Sequence, residues 1–282
     1  MSSTATLLAL ATLTLWSFLA YLATELQRIP PLLLTGLALT ISGLLGAFRW
    51  RAWRVPPKTF LMGVYGLFGY HALFFLALRY APAVEANLLN YLWPLLIVLL
   101  SPRFLPGHHL TRRHILGALL GLGGAALIVS GGRLHLEVHY LPGYLLMMGA
   151  AFVWASYSLL TKRVPAFSTA AVGGFCLTSG LLAILLAGAL GEWGAMPWGA
   201  LSRREWLLLG LMGAGPLGAA FYTWDAALKR GDPRVIGALA YLTPLASTLI
   251  LTLLGGKTLT PTAAAAMVLI ISGAVIGSRE KA

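Results

Sequence analysis

Asn87, Asn90, Tyr91, Trp93 and Pro94 place two amides, a phenol, an indole and a proline inside the apolar run Ala83–Leu100. No nucleophile stands beside a base there, so the chemistry on offer is recognition. Amide and phenol dipoles hold polar or charged groups, and an indole offers a flat apolar face. Polar groups in hydrocarbon are costly unless satisfied, so this stretch belongs to a protein interior or a cavity wall. Pro94 removes a backbone donor and frees the carbonyl of Asn90 one turn earlier. At about 3.6 residues per turn, Asn87, Asn90, Trp93 and Pro94 share one arc, with Tyr91 at its margin. Two readings remain open: asparagines that glue helices together, or a cavity wall whose polar stripe coincides with the proline. Ala240-Tyr241-Leu242-Thr243-Pro244 is a weaker echo, and Pro94 and Pro244 are candidate hinges.

Other candidate binding residues sit at similar depth: Trp16, Tyr70, His71, Phe74, Trp154, Tyr157, Phe221 and Tyr241. His71 reads as a satisfied interhelical histidine, a substrate ligand or a proton carrier. Trp154, Tyr157 and Thr161 share a helix face. Phe221 and Tyr222 occupy the depth of His71. Trp50, Trp53, Trp193, Trp198 and Trp206 sit at span ends as interfacial anchors, and Trp224 is ambiguous. Asp225 stands four residues before Lys229, the spacing of an ion pair. Glu85, near Arg79, reads as an interfacial salt bridge that points away from the Asn90 face, and Glu25 closes a span. Cys176 is alone, no Cys/His cluster has metal-ligand spacing, and His108, His109 and His114 lie in or beside a basic loop. GxxxxGK[ST] is absent, and Gly255-Gly256-Lys257-Thr258 is only a fragment of it. The expectation is no metal, no cofactor and no enzymatic activity.

The elements that must hold these residues follow from composition. The chain is 59% hydrophobic and 10% charged, with mean hydropathy +0.82, whereas soluble domains carry about 25% charged residues. It is expected to be an all-α integral membrane protein. Its net charge of +12 reads as basic loops facing anionic membrane lipid, not as nucleic-acid binding. Ten segments are long enough to cross the bilayer: 4–25, 31–48, 58–80, 83–101, 112–131, 141–163, 168–190, 205–229, 232–254 and 260–279. The first lacks the basic n-region of a signal peptide and is kept as a span. Lys and Arg divide 14 to 6 between the two sides, which places both termini in the cytoplasm.

Offset by 150 residues, Tyr91-Leu92-x-Pro94-Leu95 matches Tyr241-Leu242-x-Pro244-Leu245, and Leu78-Arg79 matches Leu228-Lys229. Leu15-Trp16-Ser17 and Val153-Trp154-Ala155-Ser156 correspond, as do Gly123-Gly124-Ala125 and Ser272-Gly273-Ala274. An odd number of spans per half inverts the second half. The expected arrangement is two inverted five-helix repeats, 1–135 and 136–282, with a substrate site where they meet. Gly117, Gly121 and Ala125 give the fifth span a flat face, for bundle packing or for a dimer seam.

This pattern resembles the drug/metabolite transporter superfamily, in its EamA-type ten-helix branch. The resemblance is carried by the 5+5 layout, the tryptophans of the first and sixth spans, Ala226-Ala227-Leu228-Lys229-Arg230, and Tyr241–Leu245. Glu85–Pro94 is similar to the fourth-span signature of its bacterial members that export aromatic amino acids. The resemblance implies a secondary transporter of the bacterial inner membrane, exporting aromatic and other bulky amino acids by alternating access, with no obligate protein partner. It carries to Tyr91, Trp93, Pro94 and Trp154. A broad drug or metabolite exporter of the same fold is the alternative. Trp16, Trp93 and Trp154 suit an aromatic ring, and Asn87, Asn90 and Tyr91 suit a zwitterion without a permanent buried charge.

Overall fold

In a computed structural model that describes residues 2–107, 109–133, 137–253 and 261–278, every regular element among the described residues is helical. The principal helices are α1 (Ser3–Glu25), α2 (Pro31–Leu45), α3 (Pro57–Ala77), α4 (Ala83–Phe104), α5 (Arg112–Ser130), α6 (Val138–Leu160), α7 (Thr169–Ala189), α8 (Arg203–Arg230), α9 (Pro233–Ile250) and α10 (Pro261–Ser278). By length and composition, α1 and α3 to α9 each suffice to cross a membrane. The second expected span, 31–48, stops at Leu45, because the Gly46 amide closes onto the carbonyls of Ser42 and Gly43. The chain then bends by 85° into Ala47–Trp53, and the two pieces qualify as a span only when taken together. α10 is a shorter apolar helix. The expectations for His108, Gly255–Thr258, Arg279, Lys281 and the 135/136 division fall outside the described residues.

Local chemistry sets the helix starts. Pro31, Pro57 and Pro233 occupy first-turn positions, where a missing N–H leaves nothing unpaired. Asp232 caps α9 by accepting the Arg234 amide, and Ser202 with Glu205 forms a capping box on α8. Large apolar side chains such as Leu7, Leu61, Leu185 and Leu207 are exposed on the outside of the bundle, where a soluble fold would place charge.

Two irregularities recur at the 150-residue offset. Tyr65–Gly69 in α3 and Gly215–Ala219 in α8 are π-helical turns, which in α8 coincides with Pro216, a residue without a backbone donor. α4 breaks at Tyr91 and α9 at Ala240–Tyr241. Close helix contacts run through glycines. A Cβ on Gly117 would stand 2.7 Å from the Gly273 carbonyl, and one on Gly43 2.5 Å from Leu177. The flat face of α5 is therefore used within the chain, against α10 and Tyr241, and a dimer seam there is excluded by the packing.

A tryptophan-walled cavity

A cavity of about 580 Å³ opens inside the bundle, lined from α1, α3, α4, α6, α8 and α9 and from the start of α2. This volume lies in the range of small-molecule sites. The cavity gathers Trp16, Tyr70, His71, Phe74, Asn87, Asn90, Tyr91, Trp93, Trp154 and Phe221 from five helices, α1, α3, α4, α6 and α8. Trp154 is the hub of the ring system, and beside it stands Trp16. From Trp16, ring centroids lie 6.1 Å away for Trp93, 5.8 Å for Trp154 and 6.3 Å for Phe221. Tyr70 closes one side, 5.4 Å from Trp154 and 5.8 Å from Phe74. These separations are those of edge-to-face and tilted aromatic pairs, so the walls stabilise one another before anything binds.

Polar groups are few and placed. The Asn90 amide N–H donates to the Tyr70 hydroxyl at 3.2 Å. Asn90 is 7% exposed, and its Oδ1 is buried without a hydrogen-bond partner. Thr243 Oγ1 is in the same condition. His71 Nδ1–H donates to the Leu67 carbonyl at 2.6 Å, which satisfies an acceptor of the α3 π-turn. Among the described lining residues there is no Asp, Glu, Lys or Arg.

Two candidates lie elsewhere. Tyr157 is buried behind Trp154, its ring seated on Gly66, where a Cβ would come within 2.2 Å of it. Tyr241 is fully buried, its ring on Gly121. Its hydroxyl accepts the Leu95 N–H at 3.1 Å and donates to the Tyr91 carbonyl at 3.1 Å. In an unbroken helix those two backbone groups would bond each other. The phenol is therefore spliced into the α4 ladder at its break, next to Pro94. Helix periodicity could not place either ring, because the slots that receive them are made by glycines on other helices.

Trp224, Thr243 and Ser247 were not among the expected site residues. Trp224 is 1% exposed and forms a floor beneath the cavity, 5.1 Å from Trp16 and 5.6 Å from Trp93. Its indole N–H donates to Ser158 Oγ at 3.1 Å. Thr243 and Ser247 line the cavity, and Thr243 was legible as the repeat partner of Trp93.

The acids divide. Asp225 pairs with Lys229 at 2.7 Å and accepts from Thr169 at 2.6 Å, and Lys229 also donates to the Phe167 carbonyl. Glu25 pairs with Arg204, and Glu205 with Arg28. The expected Glu85–Arg79 pair does not form. Arg79 reaches the Leu190 carbonyl just beyond the C-terminal end of α7, and Glu85 Oε2 is buried without a partner. Trp50, Trp193, Trp198 and Trp206 are exposed anchors, whereas Trp53 is laid over Gly173 and Gly174.

The fold and the cavity are those of a membrane protein with room for a small solute. Residues 3–130 and 141–279 both match the EamA-like transporter family, and the chain belongs to that family, within the drug/metabolite transporter superfamily. It is 40% identical over 285 residues to the aromatic amino acid exporter YddG of Ancylobacter novellus, covering 98% of this chain and 97% of that one. Against the aromatic amino acid exporter YddG of Salmonella typhimurium the identity is 26% over 272 residues, covering 90% and 89%. A solved crystal structure matches with a TM-score of 0.89 at 39% identity, covering 98% of this chain and 96% of that chain.

Proposed function

We propose that this protein exports aromatic and other bulky amino acids across the bacterial inner membrane by alternating access. The observation that carries this reading is Asn90 Oδ1, a buried acceptor without a partner, in a charge-free wall beside Trp16, Trp93 and Trp154. An ammonium donates to that oxygen while the ring of the same solute lies among the indoles. Neutral dipoles bind a zwitterion without leaving a permanent charge buried in the empty protein. The names of the relatives above support the substrate class.

The scaffold in this proposal is ten membrane helices in two inverted repeats, 1–135 and 136–282. Its supports are the two family matches, the paired π-turns and the paired helix breaks. The cavity reaches Gln27 and Ile29 after α1, Leu78 after α3 and Ala83 at the start of α4. The distribution of Lys and Arg assigns that end to the outside and both termini to the cytoplasm. On this reading the form described is outward-facing, with Trp224 as part of the closed floor.

The test is counterflow of labelled phenylalanine in proteoliposomes, with and without a pH gradient. Trp93→Ala should reduce flux at least about tenfold, the scale of a lost aromatic contact of ~1.4 kcal/mol, in protein that remains folded. Unchanged flux removes Trp93 from the site. A broad drug or metabolite exporter is the second reading, favoured by the aromatic lining. Competition by tryptophan and threonine but not by cationic dyes would reject it.

A further inference from the structure

The 85° bend after α2 turns Ala47–Trp53 across the end of that helix. Residues 46–58 carry Arg49, Arg51, Arg54 and Lys58 and no acid. None of the three guanidiniums is in an ion pair among the described residues. They lie on aromatic rings instead: Arg49 is 5.6 Å from the Phe48 centroid, and Arg54 5.1 Å from that of Trp50. Those rings face outward, Phe48 at 80% exposure and Trp50 at 51%. A short surface segment with exposed aromatics and unneutralised arginines is built to sit at the headgroup level of an anionic leaflet.

Beneath it is a second cavity of about 450 Å³, separate from the tryptophan-walled one. Arg49 and Phe48 form its rim. Ser168 and Thr169, where α7 begins, supply hydroxyls on the facing side. Its inner wall is the α8 π-turn with Tyr222 and Thr223. The nearby acid, Asp225, is neutralised by Lys229.

We propose that this cavity with its arginine rim is a binding site for the headgroup of an anionic glycerophospholipid. The phosphodiester meets Arg49 and the Ser168 hydroxyl, Thr169 being committed to Asp225, while the acyl chains lie over Phe48 and the exposed Leu44 and Leu45. Charge complementarity selects the occupant, because a zwitterionic lipid brings its own cation to a rim that already holds Arg49, with Arg51 and Arg54 on the same segment. The site also touches the transport machinery. Gly218 of the α8 π-turn lines this cavity, and Leu217 beside it lines the transport cavity. The inference rests on α2 meeting the membrane surface at Leu45 and is independent of which solute is carried.

The test is native mass spectrometry of the full chain released from micelles containing equal phosphatidylglycerol and phosphatidylcholine. Wild-type protein should retain phosphatidylglycerol several-fold over phosphatidylcholine. Arg49→Gln should reduce that preference roughly fivefold, the scale of one surface cation against an anionic lipid, and Arg49→Lys should keep most of it. Both variants should match wild-type phenylalanine counterflow in pure phosphatidylcholine, which separates lost lipid binding from misfolding. Equal retention of the two lipids overturns the proposal, as does an unchanged preference in Arg49→Gln. Displacement of phosphatidylglycerol by millimolar inorganic phosphate overturns it too, since the site would then be one for soluble anions.

Discussion

The two broken helices begin from nearly the same sequence, Tyr-Leu-x-Pro-Leu at 91–95 and at 241–245, and end in different roles. At the first break the residues one turn before are Asn87 and Asn90, and both line the cavity. At the second they are Gly237 and Ala240. A Cβ on Gly237 would stand 3.1 Å from Ile97 and 3.2 Å from the Pro94 carbonyl. So α9 packs against α4 just where α4 is interrupted. Tyr91 lines the cavity, whereas Tyr241 is buried with its hydroxyl mending the ladder of α4. The difference teaches that a repeated backbone device need not repeat a function. One break presents polar groups to the cavity, and the other braces the first.

Breaking the brace should have the largest effect. Gly121→Val places a branched side chain where even a Cβ would lie 2.3 Å from the Tyr241 ring. Overpacking of this kind costs about 1–3 kcal/mol, and here it also displaces the hydroxyl from Leu95 and Tyr91. The expected outcome is a large fall in the thermal midpoint by fluorescence-detected size exclusion, with little folded protein recovered. A wild-type midpoint would mean that the Tyr241 ring moves freely and braces nothing.

The first break should respond in transport and not in stability. Asn90→Ala removes the unpartnered Oδ1 and the donor to Tyr70. A hydrogen bond to a charged group is worth about 1.5–3 kcal/mol, so kcat/KM for phenylalanine should fall by roughly 10- to 100-fold. The midpoint should stay near wild type, because the cavity admits water to the gap. Equal kcat/KM in Asn90→Ala and wild type would move the ammonium elsewhere. Tyr241→Phe is the milder version of the first experiment. It leaves the ring on Gly121 but strands the Leu95 N–H and the Tyr91 carbonyl, at a cost of about 1–3 kcal/mol. A lowered midpoint with substrate affinity kept within a few-fold is expected, and the reverse pattern would place Tyr241 in the binding site instead.

The same contrast explains what was legible in the sequence. The all-helical membrane class and most of the apolar segments were readable because hydrocarbon imposes length and composition on each segment separately, although among the described residues eight of the ten expected spans are long enough by themselves. Asn87, Asn90 and Trp93 were readable as one stripe because a single helix fixes their angles. Tyr157 and Tyr241 looked equivalent to the lining residues by depth and type. Their burial depends on Gly66 and Gly121, glycines of other helices, and one helix's periodicity carries no information about another's grooves. Trp224 was missed for the related reason that its place as floor exists only once Trp16 and Trp93 converge on it. The bend at Gly46 was hidden because Ala47 and Phe48 continue the apolar run of α2 without a change in composition.

The smallest expected effect is at Thr243, the position that corresponds to Trp93. Both line the cavity, so this is the one step at which the two breaks point the same way. Thr243 Oγ1 has no hydrogen-bond partner in the protein, so Thr243→Val removes no internal bond and nearly preserves shape. Removing a buried hydroxyl that has no partner relieves its desolvation penalty, so stability should hold or rise by about 1 kcal/mol. If the hydroxyl serves the carboxylate of the substrate, KM should rise while kcat stays put, because a contact made equally in ground and transition states alters binding alone. A change in kcat without one in KM would tie Thr243 to the conformational step. The second break would then have a motor role of its own, and the division between a binding break and a bracing break would have to be redrawn.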